Sequence, residues 1–196
     1  MQEAKKVLQQ AKKTLLAVVM GGLLAMTLCA VTGCQDNSEE VIRQSLTEEI
    51  DEIKAMDDAT VSEMASSMGY ASTLSSVGIS SEELVRAMLQ GFDGVIDSVT
   101  VNGNTAEAVV TFTSKDFSSI TENMDSLQTE MTDNPEQFAD MSRQQIMDWV
   151  GERTMQMVNE LPVVTHEPVT ITYEREGNTW APTAGSESAM YSTIFG

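Results

Sequence analysis

The chain has 196 residues, with 30 acidic against 11 basic side chains, a formal net charge of −19 and two cysteines. Such a charge keeps a chain soluble and repels polyanions. Beyond position 33 the basic residues Arg43, Lys54, Arg86, Lys115, Arg143, Arg153 and Arg175 are spread singly, so no basic footprint exists for nucleic-acid binding.

In chain order, the first element predicted is a signal. Lys5, Lys6, Lys12 and Lys13 precede an uncharged run of 17 residues from Leu15 to Val31. A basic start, an apolar middle and small residues before a cleavage point form the secretory-signal pattern. The alternative is an uncleaved membrane helix, for which the run is at the short edge of spanning length. Lysines ahead of the run place the rest of the chain outside in either case.

Val31-Thr32-Gly33-Cys34 is similar to the lipobox of bacterial lipoproteins: aliphatic, small, Gly, Cys. The resemblance implies cleavage between Gly33 and Cys34, and a diacylglyceryl thioether on Cys34. Two or more acyl chains give stable membrane attachment. Gln35 stands where the family's inner-membrane retention signal would be Asp. That implies the outer membrane in a two-membrane cell, or the outer face of the only bilayer in a one-membrane cell. Residues 34–37 would be a lipidated tether and 38–196 a single α+β extracytoplasmic domain. Cys29 would leave with the signal and Cys34 would be acylated, which excludes disulfides, thiol catalysis and thiolate metal sites from the folded part. Loss of four lysines and Glu3 would move the net charge from −19 to −22. The bland meaning of this acidity is a solvated surface; the sharper one is attraction for cations or a cationic partner.

Ser38 is expected to cap a helix over 39–56, with Glu39 and Glu40 suiting the helix dipole. Ile42, Leu46, Ile50 and Ile53 form its apolar face. Asp57 and Asp58 interrupt it. Val61, Met64, Ala65 and Met68 predict a second helix ending at Gly69. Tyr70 to Gly78 is Ser-rich and ambiguous. Ser80 and Glu83 stand at capping-box spacing, and Leu84, Val85, Met88 and Leu89 carry the next helix toward Gly91. The period then becomes two. Val99 and Val101 alternate, Asn102-Gly103-Asn104 turns, and Ala106, Ala108, Val110 and Phe112 return as a hairpin. Phe117, Ile120, Met124, Leu127 and Met131 are helical again, broken at Asp133-Asn134-Pro135. Ser142 starts a further helix with Ile146, Trp149, Val150, Met157, Val158 and Leu161. Val169, Ile171 and Tyr173 form a strand, Glu176-Gly177-Asn178 turns, and Thr179 to Ala181 returns with Trp180. Ser186 to Ile194 forms a last short helix. The sum is α+β: a small antiparallel sheet of about four strands in two hairpins, with helices on one face.

The opening helix Val41 to Lys54, the hairpin Val99 to Val110 and the pair Val169 to Glu174 with Gly177 to Trp180 resemble NTF2-like, or cystatin-like, secreted lipoprotein domains. The resemblance implies a curved sheet with helices against its concave side, often forming a pocket. The departure is the helical stretch from Phe117 to Leu161 between the hairpins, which could fill or cover that pocket. No catalytic residue is carried over, because no catalytic motif is matched.

His166 is the one histidine. A Ser-His-Asp arrangement needs a base within reach of a nucleophile, but no Gly-x-Ser-x-Gly elbow surrounds any serine. A loop or strand-edge histidine is expected. One histidine and no free thiol argue against zinc. Asp57, Asp58, Asp93 and Asp97 offer oxygen ligands for weak calcium binding, without the EF-hand pattern. Trp149 and Trp180 sit at apolar positions and read as core, with a sugar-stacking platform as the alternative for Trp180. Met64, Met68, Met88, Met124, Met131 and Met157 read as flexible core filler, with an adaptable groove or copper(I) capture as the alternatives. The sequence therefore points to a non-enzymatic binding or interaction lipoprotein, without catalytic residues, cofactor or nucleic-acid partner. It would meet the membrane through Cys34 and an unknown protein, cell-wall or small-molecule partner. A small-ligand carrier is the alternative and a cell-envelope hydrolase the third class.

Overall fold

The structure is a computed structural model that describes residues 31–32, 37–67 and 71–195. The expected signal run up to residue 30, the cleavage pair Gly33 and Cys34, and the expected helix stop at Met68 and Gly69 lie outside the described residues. In chain order the elements are β1 (Val31–Thr32), α1 (Ser38–Ala55), α2 (Asp58–Ser67), α3 (Ala71–Ser76), α4 (Ser81–Leu89), β2 (Asp93–Asn102) and β3 (Thr105–Lys115). There follow α5 (Ile120–Asp133), a 3-10 turn (Pro135–Phe138), α6 (Arg143–Glu160), β4 (Val163–Thr165), β5 (Val169–Glu176), β6 (Thr179–Pro182) and α7 (Ala184–Phe195). The class is α+β, as expected. The described residues form two compact units: one holds 31–32, 37–60, 89–116 and 163–195, the other 61–67, 71–88 and 117–162.

The first unit is built on an open antiparallel sheet in the order β1-β6-β5-β3-β2, with β4 also paired to β3. Both expected hairpins are present, β2 with β3 and β5 with β6. Gly103 and Gly177 make their turns at φ +62 and +65, a region that favours glycine. On β3 the even positions Ala106, Ala108, Val110 and Phe112 are buried, as the alternation predicts, and Ser114 continues that row. Strand β2 is longer than Val99 and Val101 alone suggest. It starts at Asp93 and carries a bulge at Asp97, between the pairs Ile96↔Val110 and Ser98↔Val109. Asp and Gly are poor strand formers, so pairing with β3 decides this stretch rather than propensity. The bulge lies beside the guanidinium of Arg43, which donates to the Ile96 carbonyl at 3.3 Å. Bulges and charges of this kind blunt an edge strand.

Helix α1 buries Ile42, Leu46, Ile50 and Ile53, the face expected from their spacing. It packs on β2, and α7 packs on β5. Gly94 permits the first contact, since a Cβ there would stand 2.9 Å from Ile50 Cδ1. The expected cap at Ser38 is corrected: Asn37 holds the cap position and Ser38 is the first helical residue, 2% exposed. Ser38 already has helical backbone, whereas a capping residue lies just outside the helix. At the other end Met56 adopts the left-handed conformation at φ 46, and Asp57 Oδ1 accepts from the N–H groups of Ala59 and Thr60 at 2.9 Å each. The two aspartates thus divide α1 from α2 because the first of them caps the second helix.

The second unit is helical. Leu84, Val85 and Met88 of α4 are buried, as are Ile120, Met124, Leu127 and Met131 of α5. The Ser-rich ambiguous stretch contains the short helix α3, which buries Leu74. Ser142 starts α6 through a full capping box: its Oγ accepts from Gln145 N, and the Gln145 side chain accepts from Ser142 N at 2.9 Å. The similar spacing at Ser80 and Glu83 yields only a long 3.5 Å contact from Glu83 N. Helix α6 buries Val150, Gly151, Thr154 and Val158. Trp149, expected in the core, is half-buried instead, because it turns toward Phe138 on the 3-10 turn. Among the described residues no helix is long and apolar enough to cross a membrane.

Candidate functional site

Strand β4 has no counterpart in the sequence reading, since three residues after a proline are too short for a periodicity signal. It brings the one histidine onto the sheet. His166 follows β4 directly, and its N–H donates to the Phe112 carbonyl at 2.8 Å. Its Nε2 lies 2.8 Å from Ser114 Oγ. Next to this pair, on the alternate side of the strands, the hydroxyls of Thr113 and Thr165 meet at 3.0 Å. The expected strand-edge position of His166 is therefore what the fold contains, and it also places a hydroxyl and an imidazole in hydrogen-bond contact.

Contact between serine and histidine is the first requirement of nucleophilic catalysis. Accessibility is the second, and Ser114 is only 3% exposed, in the inward row of β3. The two bonds from His166 to positions 112 and 114 instead staple β4 to the end of β3. Lys115, the next residue, is 2% exposed, and burial pushes its ammonium pKa below the ordinary lysine value.

The four aspartates singled out from the sequence do not converge. Asp57 caps α2. Asp97 accepts from Thr111 Oγ1 at 2.7 Å. Asp93 pairs with Lys54 at 2.8 Å. The hydrogen bond between the last two holds the Asp93 carboxyl below and the Lys54 ammonium above their ordinary values. Among the described residues no three His, Cys, Asp or Glu side chains gather at metal-ligand spacing.

Trp180 is fully buried, with the Arg175 guanidinium 5.6 Å from its ring centre. A sugar-stacking platform needs an open ring face, so the core reading holds. Its Nε1 is buried without a hydrogen-bond partner. Tyr173 is buried on β5, and burial first, then the charge of Glu49, raises its phenol above the ordinary value. Met64, Met88, Met124 and Met131 are buried as core filler, whereas Met157 is half-buried. A depression of about 300 Å³ lies along α5, lined by Asp125, Gln128, Thr129, Thr132 and Asp133. Its lining is polar, unlike the mostly apolar walls of small-molecule sites.

No protein-family model and no curated protein matches this chain. A crystal structure of a candidate lipoprotein, YcdA, from Bacillus subtilis subsp. subtilis str. 168 is similar to it, with 15% identity and a TM-score of 0.39. The likeness covers 83% of this chain and 48% of that one, so this chain spans about half the length of that protein. At this level the likeness carries no argument about function.

Proposed function

We propose that the protein is a lipoprotein held on the extracytoplasmic membrane face by acyl chains on Cys34, where it works as a non-enzymatic binding or interaction module. The observation that carries this reading is the closeness of the lipobox to the fold; cleavage after Gly33 would remove β1, and with it the pairs Val31↔Trp180 and Thr32↔Thr179 that the uncleaved chain makes. Helix α1 begins at Ser38, four residues beyond Cys34. An acyl anchor at Cys34 would hold the sheet unit against the lipid surface on almost no tether. The sheet and its helices are read as an NTF2-like, or cystatin-like, variant. Gln35 in place of Asp directs the protein to the outer membrane where the cell has two. The buried hydroxyl of Ser114 supports a structural role for the serine–histidine contact.

Metabolic labelling with a fatty acid tests the anchor. Label on the wild-type chain and none on Cys34→Ala is the expected result; label on both would overturn the lipidation site. The non-enzymatic part would be sunk by turnover of a cell-envelope substrate that survives purification and is lost on one substitution.

A further inference from the structure

The outermost strand of the sheet is made from the lipobox. Val31 and Thr32 form β1 and pair antiparallel with Trp180 and Thr179 of β6. Gly33, the residue after β1, is the last before the expected cleavage point. Processing there takes away a whole strand and leaves β6 as the new end of the sheet.

Backbone hydrogen bonds define what that end presents. In antiparallel pairing the N–H and C=O of one residue point the same way, and successive residues alternate. Arg175 N donates to the Asn104 carbonyl at 2.9 Å, on the side away from β6. Its pair mate Trp180 therefore points its own N–H and C=O away from β5. Thr183, three residues on, donates to the Thr172 carbonyl of β5 at 2.8 Å, as the same alternation requires. The backbone groups of Trp180 are thus the ones that β1 takes up and that processing deprives of β1. Pro182, next in the outward row, has no N–H to give, which keeps the edge short.

The two ends of the processed sheet differ. Strand β2 carries a bulge at Asp97 with Arg43 beside it, devices that discourage strand addition. Strand β6 pairs with β5 in unbroken register, and Thr179-Trp180-Ala181-Pro182 holds no charge. The processed chain has too little sequence to rebuild β1: only residues 34–36 precede the Asn37 cap, and Cys34 would be committed to lipid. The segment seated on β6 before processing indicates the kind of occupant, an extended antiparallel strand of β-branched residues. The strong negative charge of the chain disfavours an acidic one.

We infer, resting on the lipoprotein reading, that signal cleavage opens β6 as an acceptor edge to which an extended, non-acidic strand of a partner protein adds in place of β1. Main-chain hydrogen bonds at Trp180 would supply the affinity, the mode in which a peptide extends a sheet.

The test compares two products of the full gene in zwitterionic phospholipid nanodiscs: the processed wild type, and Cys34→Ala, in which β1 stays attached. Mass spectrometry first establishes that residues 1–33 are gone from one and present in the other, and circular dichroism that both are folded. Amide hydrogen exchange is then followed at Trp180. The probe is a seven-residue peptide of alternating valine and threonine with blocked, uncharged ends, and its control has prolines for the valines. Exchange at Trp180 should be about tenfold faster in the processed chain than in Cys34→Ala. The valine–threonine peptide should slow it again by a similar factor, and the proline control should not. A wild type that keeps residues 1–33 would sink the lipoprotein reading, and this inference with it. Equal exchange in the two chains would overturn the opening of the edge, and cross-links between copies at equal protection would assign the edge to a second copy. Fast exchange that the peptide leaves unchanged would overturn strand addition while the anchor stands.

Discussion

The hydroxyl of Ser186 on α7 closes the backbone of Thr172 on β5: it accepts from the Thr172 N–H at 2.7 Å and donates to the Thr172 carbonyl at 3.0 Å. The reason lies in β6. Its last pair joins Pro182 to Tyr173, so no strand reaches Thr172 on that side. Thr183 N also donates to the same carbonyl at 2.8 Å, and Thr183 Oγ1 meets Ser186 Oγ at 2.9 Å. One side chain, 3% exposed, thus does the work of a missing strand residue and ties the last helix to the sheet.

Ser186→Ala should leave the Thr172 N–H without its acceptor inside the protein. A buried donor left in that state costs about 1–3 kcal/mol. Urea unfolding of the full chain should show the loss as a lower midpoint at unchanged slope. An unchanged midpoint would mean that water replaces the hydroxyl without penalty.

Gly151 is a packing requirement of α6. A methyl group there would overlap the carbonyl oxygen of Val77, which is backbone and has little room to withdraw. Gly151→Ala normally favours a helix by about 1 kcal/mol. Here overpacking should outweigh that gain and destabilise by about 3 kcal/mol. Thermal melts decide the sign, and a stabilised variant would show that α6 and the Val77 segment are not in register as described.

The cap of α6 can be tested locally. Ser142→Ala removes the acceptor for Gln145 N and should cost about 1 kcal/mol. Amide hydrogen exchange at Gln145 and Ile146 should quicken in the variant while the second half of α6 stays protected. Uniform acceleration along the helix would argue against a local cap.

Lys115 makes a prediction with a pH signature. Burial lowers its folded pKa below the unfolded one. Between those two values the unfolded chain binds more protons, so stability rises with pH in that window. Below the folded value the buried charge is carried at a cost that the unfolded chain does not bear. Lys115→Met should therefore abolish the rise expected of the wild type as pH approaches about 10. Urea midpoints of both chains at several pH values check this; parallel curves would rule the titration out.

Legibility in the sequence followed the length of each signal. Helix α1 and strand β3 were readable because Ile42 to Ile53 and Ala106 to Phe112 repeat their period several times, and such repeats record which face is buried. The Asn102-Gly103 and Gly177 turns were readable because their backbone conformation favours particular residues. Strand β4 was not, nor were the bulge at Asp97 and the exposure of Trp149. Each depends on a neighbour in another element: β3 for the first two, the 3-10 turn with Phe138 for the last.

The candidate sites divide in the same way. Residue chemistry alone determined the sign of the chain's charge, the basic-then-apolar N-terminal pattern with its Cys34, and the absence of any nucleophile motif around its serines. Those properties belong to residue types and short spacings, which survive without folding. Tertiary structure alone decided that His166 reaches Ser114 across 52 positions, that Asp57, Asp93 and Asp97 go to separate structural tasks, and that Phe138 and Trp149 pair outside the core. Those are contacts between separate elements, set by the way sheets and helices bury their apolar faces, and no pattern within one element encodes them.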